Sequence, residues 1–315
     1  MRSYLKFALL FSLALLSACA TAVNAPLPGA TREKISSTDV VLPVKQNEIY
    51  VFVPDSQLTA AAGGGLLFAL IDAGINSART SKAEDAVKPL RDSLVDFSFD
   101  TAFQDEFKSS LSNASWLHLS NVRVIKEVSN ESMDRALTDS RAGAVLFATP
   151  DYHLSNDGDV LYVSLRVALF ANDEALKAVQ PADKSKSASK SAPKTAPELS
   201  LYRNTLQFRT RLFGASMDRD KNMATWSADK GAAMRSTLKL GATKLGMLLV
   251  NDLQRSAEDA AATAKNAAAT RGKKDTTSVE LDGLVLPGEL VGSDDDGQIV
   301  RLKDGRLAFV ANEVH

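Results

Sequence analysis

Cysteine and histidine are scarce in this chain of 315 residues, which holds one cysteine, Cys19, and three histidines, His118, His153 and His315. A single cysteine excludes an internal disulfide framework. The sequence also lacks a Gly-x-Ser-x-Gly nucleophile elbow, a His-Glu-x-x-His pair and a phosphate-binding glycine loop ending in Lys-Ser/Thr. From these absences we expect a non-enzymatic protein with no catalytic residues, no metal and no cofactor.

An excess of positive charge is also missing. The formal net charge is -1, and 45% of the residues are hydrophobic. The hydrophobic content is typical of a globular protein, whereas a domain that binds nucleic acid in general is expected to be clearly basic. We therefore expect no nucleic-acid partner.

The amino terminus carries the most specific pattern in the chain. Arg2 and Lys6 precede an uncharged apolar run at 7–16, which is shorter than the roughly 20 residues that span a bilayer. The following Leu-Ser-Ala-Cys resembles the lipobox of bacterial lipoproteins, in which the cysteine receives a diacylglycerol thioether and further acyl chains such as palmitate. We predict a signal peptide over 1–18 and lipid attachment at Cys19; an ordinary secretory signal is the alternative.

The residue after Cys19 bears on which membrane the predicted lipoprotein is sorted to. Ala20 follows the cysteine, whereas an aspartate at this position favours inner-membrane retention in the enterobacterial sorting rule. The prediction is therefore a lipoprotein of the outer membrane of the cell envelope, anchored through its lipid and facing the periplasm.

Composition and periodicity divide the remaining chain. We predict an α+β fold, in which a mixed or antiparallel sheet packs with helices and a small carboxy-terminal β module follows. The predicted parts are a flexible tether at 19–47, an α/β lipoprotein domain at 48–255 with a low-complexity insertion at 181–198, an alanine-rich connector at 256–275 and the small β module at 276–315.

Strand and helix patterns are clearest in the middle of the chain. An apolar run at 144–148, a turn at 156–158 and strict alternation at 161–169 predict a β-hairpin, and alternation at 202–212 predicts a further strand with one solvated face. Helices are predicted within 88–111 (with a break, and Asp100 as cap of the second part), at 130–140 and at 226–253 (capped by Ser227), and short carboxy-terminal strands are predicted to be separated by turns at 287–288, 294–297 and 304–305.

Three segments resemble ligand sites only superficially. The glycines at 63–65 follow a strand, but Phe68 stands where a dinucleotide fingerprint needs its third glycine. The segment 292–297 fails as a calcium loop because Gly292 and Lys303 occupy ligand positions. A metal site around His153 is the weaker alternative to a solvated turn; its other members would be Asp151, Asp157 and Asp159.

Two stretches leave alternatives open. The glycine-rich apolar segment 60–75, with Asp72 inside it, is either a buried helix or a surface for self-association or for another envelope protein. Basic residues are either a solubilising linker beside a solvated strand face or a weak contact for envelope anions; they are Lys184, Lys186, Lys190, Lys194, Arg203, Arg209 and Arg211.

The order of elements also resembles a known group. The strand 49–53, GGGLLFALIDAGINSAR, LVDFSFDTAFQDEF, the hairpin 144–170 and TWSADKGAAM resemble uncharacterised proteobacterial outer-membrane lipoproteins. More distantly, 48–255 is similar to the α/β domain of curli-secretion-type lipoproteins and to the amino-terminal domain of the Tol-system propeller protein. The resemblance implies a scaffold or a binding and assembly component.

Two other functions stay open at this stage. One is a self-assembling secretion or pore-type component, although the pore-forming hairpins of curli secretion channels are not evident. The other is a periplasmic hydrolase of envelope polymers, which would need a polar cleft that gathers His118 or His153 with carboxylates.

Overall fold

The computed structural model describes residues 24–53, 66–180, 195, 199–255 and 278–314, with the side chains of 66–79 left out. The predicted signal peptide, Cys19 and the connector 256–275 lie outside the described residues, as does most of the insertion 181–198. Of the segment 60–75, only the helical backbone from Leu66 onward is described. Within the described ranges, no helix combines the length and the apolar character needed to cross a membrane.

Ten strands form one sheet in the described part of the chain. Its order is β3-β1-β4-β5-β6-β10-β9-β8-β7, with β2 paired to β4. The strands are β1 (Thr38–Pro43), β2 (Tyr50–Val51), β3 (Leu119–Ile125), β4 (Ala144–Leu154), β5 (Val160–Ala171), β6 (Tyr202–Arg211), β7 (Ser278–Leu281), β8 (Leu284–Asp294), β9 (Gly297–Leu302) and β10 (Leu307–Ala311). Pairs β1–β3, β1–β4, β2–β4 and β6–β10 are parallel and the others antiparallel. The predicted α+β class is confirmed.

The helices connect or cover these strands. They are α1 (Gly29–Arg32), α2 (Leu66–Ser93), α3 (Phe99–Ser112), α4 (Asn130–Asp139), α5 (Glu174–Lys177) and α6 (Arg219–Gln254), with a short 3₁₀ turn at Ser115–Leu117. The side chain of Ser98, not Asp100, accepts the capping hydrogen bond at α3. Helix α6 begins seven residues before the predicted start and is kinked at 228–231, so Ser227 lies within it and does not cap it.

One face of the sheet carries the main core. Alternate residues of β5, including Leu161 and Leu165, join the aromatic stripe of α3 and the inward residues of α6 in a single cluster. Phe103, Phe107 and Trp226 are fully buried there. Because burying a large apolar side chain stabilises by roughly 1.5–3 kcal/mol, this cluster fixes α2, α3 and α6 against the sheet.

The predicted flexible tether at 19–47 is wrong over most of its length. Strand β1 lies inside it, between β3 and β4, and Val40, Val41 and Leu42 are fully buried. Ahead of β1, Ala25 already exchanges two backbone hydrogen bonds with Arg203 of β6, at 2.8 and 3.1 Å. The apolar run of β1 is short and stands among threonine, serine and proline, so composition hides it.

The carboxy-terminal strands extend the main sheet through the pairing of β10 with β6. Strand β8 is continuous, so the predicted turn at Pro287–Gly288 is wrong, whereas the turns at 294–297 and 304–305 are present. A β-carbon on Gly288 would clash with the carbonyl oxygen of Arg301, so this glycine allows the close approach of β8 to β9. A small cluster that includes Leu286, Val300 and Val310 holds β7 and β8 against β9 and β10.

Candidate functional site

The face of the sheet opposite the three long helices is only partly covered. Helix α4 covers one end, where Ala136 and Leu137 pack with Phe147 and Phe170. Between this cover and the carboxy-terminal strands, β4, β5 and β6 leave an open groove of about 430 Å³. Its lining includes Phe52, His153, Ser155, Asn156, Tyr162, Ser164, Gln207 and Arg209.

Strand register aligns three groove side chains, His153, Tyr162 and Arg209, in one row with Tyr50 beside the groove. Tyr50 is opposite His153, His153 is opposite Tyr162, and Tyr162 is opposite Arg209. The rings of Tyr50 and His153 stack at 5.3 Å between centroids, and those of His153 and Tyr162 stack at 5.2 Å. The Arg209 guanidinium lies 5.3 Å from the Tyr162 centroid, within the range of a cation–π contact. We call these four residues the aromatic row.

Asp151 orders the first half of the aromatic row. Its carboxylate lies 3.3 Å from His153 Nδ1 and accepts a hydrogen bond of 3.3 Å from the Tyr50 hydroxyl. The contact with His153 is the largest influence and holds the pKa of Asp151 below its usual range, although burial acts in the opposite direction. Burial, followed by the Asp151 charge, raises the pKa of Tyr50. The carboxylate is therefore already engaged by two neighbours.

Arg209 is the half-buried cation at the other end of the row. Its Nη2 donates a hydrogen bond of 2.6 Å to Gln207 Oε1. Its Nε is shielded from solvent and has no hydrogen-bond partner among the described residues. Burial lowers the pKa of Arg209, but an arginine remains charged at neutral pH. The groove thus contains a half-buried positive charge.

Arg166 adds a second positive charge on the same face. It is exposed on β5, two positions beyond Ser164. Within the described ranges, neither Arg166 nor Arg209 forms an ion pair with a carboxylate, whereas Arg211 pairs with Asp159 at 3.4 Å. The open part of the face therefore has two cations without an ion-pair partner among the described residues, although the charge of Arg166 contributes to lowering the pKa of Asp151.

The two histidines among the described residues are not brought together. His118 precedes β3 with a left-handed φ of 46°, near the start of β4, while His153 lies near the other end of β4; His315 is outside the described residues. Among the described residues, no serine, threonine or cysteine side chain hydrogen-bonds to His118 or His153. Of the groups that a hydrolase would need, the described residues bring together only His153 and one carboxylate, that of Asp151.

The acidic residues near His153 form the turn of the hairpin. Asp159 accepts a hydrogen bond of 2.6 Å from the Ser155 hydroxyl, and Asp157 accepts one of 2.9 Å from Asn156. In the described part of the chain, no group of three or more histidine, cysteine, aspartate or glutamate residues could hold a metal ion. The solvated-turn alternative accounts for the positions of these carboxylates.

The segment 292–297, which resembles a calcium loop in sequence, forms ion pairs with a lysine. Lys244 Nζ on α6 lies 2.7 Å from a carboxylate oxygen of Asp294 and of Asp296, and 4.8 Å from the Phe309 centroid. Burial of Lys244 opposes its charge, but the hydrogen bonds to both carboxylates outweigh this and raise its pKa. The β8–β9 turn is thereby fixed to the main helix.

Sequence reasoning missed the aromatic row. Alternation in 202–212 places Arg209 on the solvated face, and this prediction holds. The meeting of Tyr50 with His153 depends on a two-residue strand paired across a hundred residues of chain, and a single sequence contains no signal for that register.

Comparisons with known proteins give little help. No family model and no curated protein matches this chain. Two solved structures of the PelC dodecamer from Paraburkholderia phytofirmans, one of them a variant, show 10% and 12% identity and a TM-score of 0.25 each. In both, the alignment covers 74% of this chain and 97% of the PelC chain. Similarity at this level informs neither fold nor function, and the resemblance to curli-secretion-type lipoproteins remains a prediction.

Proposed function

We propose that this protein is a lipid-anchored, periplasm-facing component of the outer envelope that works by binding and not by catalysis. The observation that carries the proposal is the groove, which is the open part of a sheet face whose flanks are covered. Its side chains supply hydrogen-bond donors, acceptors and aromatic surface at positions fixed by strand register. Those are the properties of a recognition site.

The position of the groove relative to the predicted anchor supports a role in the periplasm. Cys19 is five residues before Asn24, so the connecting chain spans at most about 18 Å. Ala25 is already paired with Arg203, and Arg209 lies six residues farther along β6, about 20 Å at the usual rise of a strand. A protein anchored at Cys19 is thus attached near one end of β6, and the groove lies toward the other.

The anchor is tested by mass spectrometry of the mature amino-terminal peptide. We expect a diacylglyceryl cysteine at Cys19, and we expect the Cys19→Ala variant to leave the membrane fraction. An unmodified amino terminus at another residue, or unchanged membrane retention of Cys19→Ala, would overturn the anchoring part of the proposal.

The binding role is tested with the full-length Cys19→Ala chain and isolated cell envelopes. Phe52 is 51% exposed beside the groove, and Val95 is 88% exposed on the connection between α2 and α3. Because both changes remove an exposed apolar side chain, Val95→Ser is the matched control for Phe52→Ser. We expect Phe52→Ser to reduce co-sedimentation with envelopes and Val95→Ser to leave it unchanged; equal behaviour of the two variants would contradict a binding groove.

A further inference from the structure

We propose that the groove binds a negatively charged saccharide chain, whose acidic groups contact Arg209 and Arg166. This inference rests on the proposed binding function and names its ligand class. It is carried by three features of the described residues: arginines that form no ion pair, unused hydrogen-bonding groups, and aromatic surface beside them.

The charge argues for an acidic ligand. Arg209 lines the groove, and among the described residues no carboxylate forms an ion pair with it. The carboxylate of Asp151 belongs to the other half of the row, where it contacts His153 and Tyr50. A half-buried guanidinium loses hydration, and a ligand oxygen beside it would restore that loss through a charge-assisted hydrogen bond. Arg166 is positioned to interact with a second acidic group along the same face.

The free hydrogen-bonding groups argue for a hydroxyl-rich ligand. The hydroxyls of Tyr162 and Ser164 make no hydrogen bonds within the described part of the chain, and both line the groove. The Gln207 side-chain oxygen is used by Arg209, which leaves its amide hydrogens for a ligand. Donors and acceptors of this kind, interspersed on one face, match the alternating hydroxyls of a sugar.

The aromatic surface matches the remaining part of a sugar ring. Half of Phe52 is exposed, and its ring lies 5.7 Å from that of His153 at the margin of the groove. The carbon-bound hydrogens of a pyranose form an apolar face that can cover such a ring and remove it from water. A small inorganic anion would leave this surface unused.

Backbone pairing disfavours another anionic ligand. An acidic peptide usually adds to a free strand edge, but β4, β5 and β6 are interior strands of the sheet. A saccharide recognised by side chains needs no free edge.

The test measures binding of an oligogalacturonide to the full-length Cys19→Ala chain, with a neutral malto-oligosaccharide of the same number of rings as comparison. We expect binding of the acidic oligomer only, and weaker binding as salt is raised. Arg209→Gln should weaken it by about tenfold or more, as expected for loss of a hydrogen bond to a charged group. Arg166→Gln should weaken it less.

The control is Arg141→Gln, which makes the same change of charge at an exposed residue beside the start of β4, at the end away from the groove. Thermal melts of all variants establish that they are folded. Equal binding of acidic and neutral oligomers, or equal loss in Arg209→Gln and Arg141→Gln, would overturn the saccharide assignment. Arg209-dependent binding to phosphatidylglycerol vesicles without oligogalacturonide binding would assign the groove to lipid phosphate and also overturn it.

The experiment separates the ligand from the wider proposal. If Cys19 proves unmodified while the acidic oligomer binds through Arg209, the anchoring fails and the ligand class stands. If envelopes bind through Phe52 while oligogalacturonide does not bind, the binding role stands and the ligand class fails.

Discussion

The two faces of the central sheet use the same strands for different purposes. On β5 and β6, one set of alternate residues is fully buried under α2, α3 and α6, and the other set forms a polar face with an open groove. Since side chains alternate across a strand, one residue of each adjacent pair lies in the helix-covered core and the other lies on the groove face. Stability and recognition should therefore respond to different members of each neighbouring pair.

The sharpest test of this separation uses Leu165 and Arg166. Leu165 is fully buried, whereas Arg166 is exposed on the groove side. We expect Leu165→Ala to lower the free energy of unfolding by about 2–5 kcal/mol, and Arg166→Ala to change it by less than about 0.5 kcal/mol. Chemical denaturation measures both, and similar losses would show that the two faces are not energetically distinct.

The next largest effect concerns the contact between α6 and the carboxy-terminal strands. Lys244 is almost entirely buried against Asp294 and Asp296. Removing it in Lys244→Met takes away charge-assisted hydrogen bonds, so we expect a loss of about 1.5–3 kcal/mol. Lys239→Met is the control, because Lys239 is exposed on the same helix and should change stability little.

This contact also predicts a pH dependence. Burial of Asp294 is the largest single influence and raises its pKa. The hydrogen bond and charge of Lys244, together with backbone hydrogen bonds from Asp296 and Gly297, outweigh it, so the folded-state pKa is lowered. The stabilisation is therefore present above the unfolded-state pKa, near 3.9 for an aspartate, and is lost as pH falls through the folded-state value. The raised pKa of Lys244 gives stabilisation that is lost only as pH rises through that alkaline value. Lys244→Met should make the free energy of unfolding fall less steeply as the pH is lowered into the acid range. An unchanged pH dependence would contradict the assignment.

Glycine substitutions in β8 test whether the carboxy-terminal strands are part of the main sheet. A β-carbon at Gly288 would meet the Arg301 carbonyl, whereas at Gly292 its nearest contact is at 3.5 Å. We expect Gly288→Ala to destabilise by about 1–3 kcal/mol, and Gly292→Ala to have a much smaller effect. If Gly288→Ala lowers the stability of the whole protein in one transition, the strands unfold with the sheet; a separate early transition would mark them as an independent module.

The same contrast explains what the sequence could predict. Alternation at 161–169 and the four-residue spacing of Phe103, Phe107 and Leu111 report one buried face each, and the structure confirms them. Strand β1 was missed because its core residues are few and stand in a polar, proline-containing stretch. The sequence does not predict a continuous strand through Gly288, because a proline–glycine pair is typical of turns. Here the glycine allows β8 to approach β9 closely.

The groove could be predicted only as single residues. The solvated arginines of β6 follow from alternation, but their neighbours across the sheet depend on pairings between distant segments. His153 was considered with Asp151, Asp157 and Asp159, all near it in sequence. Of these, only Asp151 contacts it, and its other ring neighbours, Tyr50 and Tyr162, come from other strands.

The smallest expected effect lies within the aromatic row. Tyr50→Phe keeps the ring stacked on His153 and removes the hydroxyl that donates to Asp151. Because that hydrogen bond is long and half-exposed, we expect a loss of about 0.5–1 kcal/mol. The pKa of Asp151 should rise, since the Tyr50 hydroxyl contributes to its lowering, but only partly, since His153 has the larger influence.

An NMR titration of the Asp151 carboxyl carbon measures this shift, with Tyr162→Phe as the control because the Tyr162 hydroxyl makes no hydrogen bond to Asp151. A rise in Tyr50→Phe alone would show that the Tyr50 hydroxyl helps to hold the Asp151 carboxylate beside His153. Equal, unshifted titrations in both variants would contradict the Tyr50 contact and leave His153 as the neighbour that lowers the pKa of Asp151.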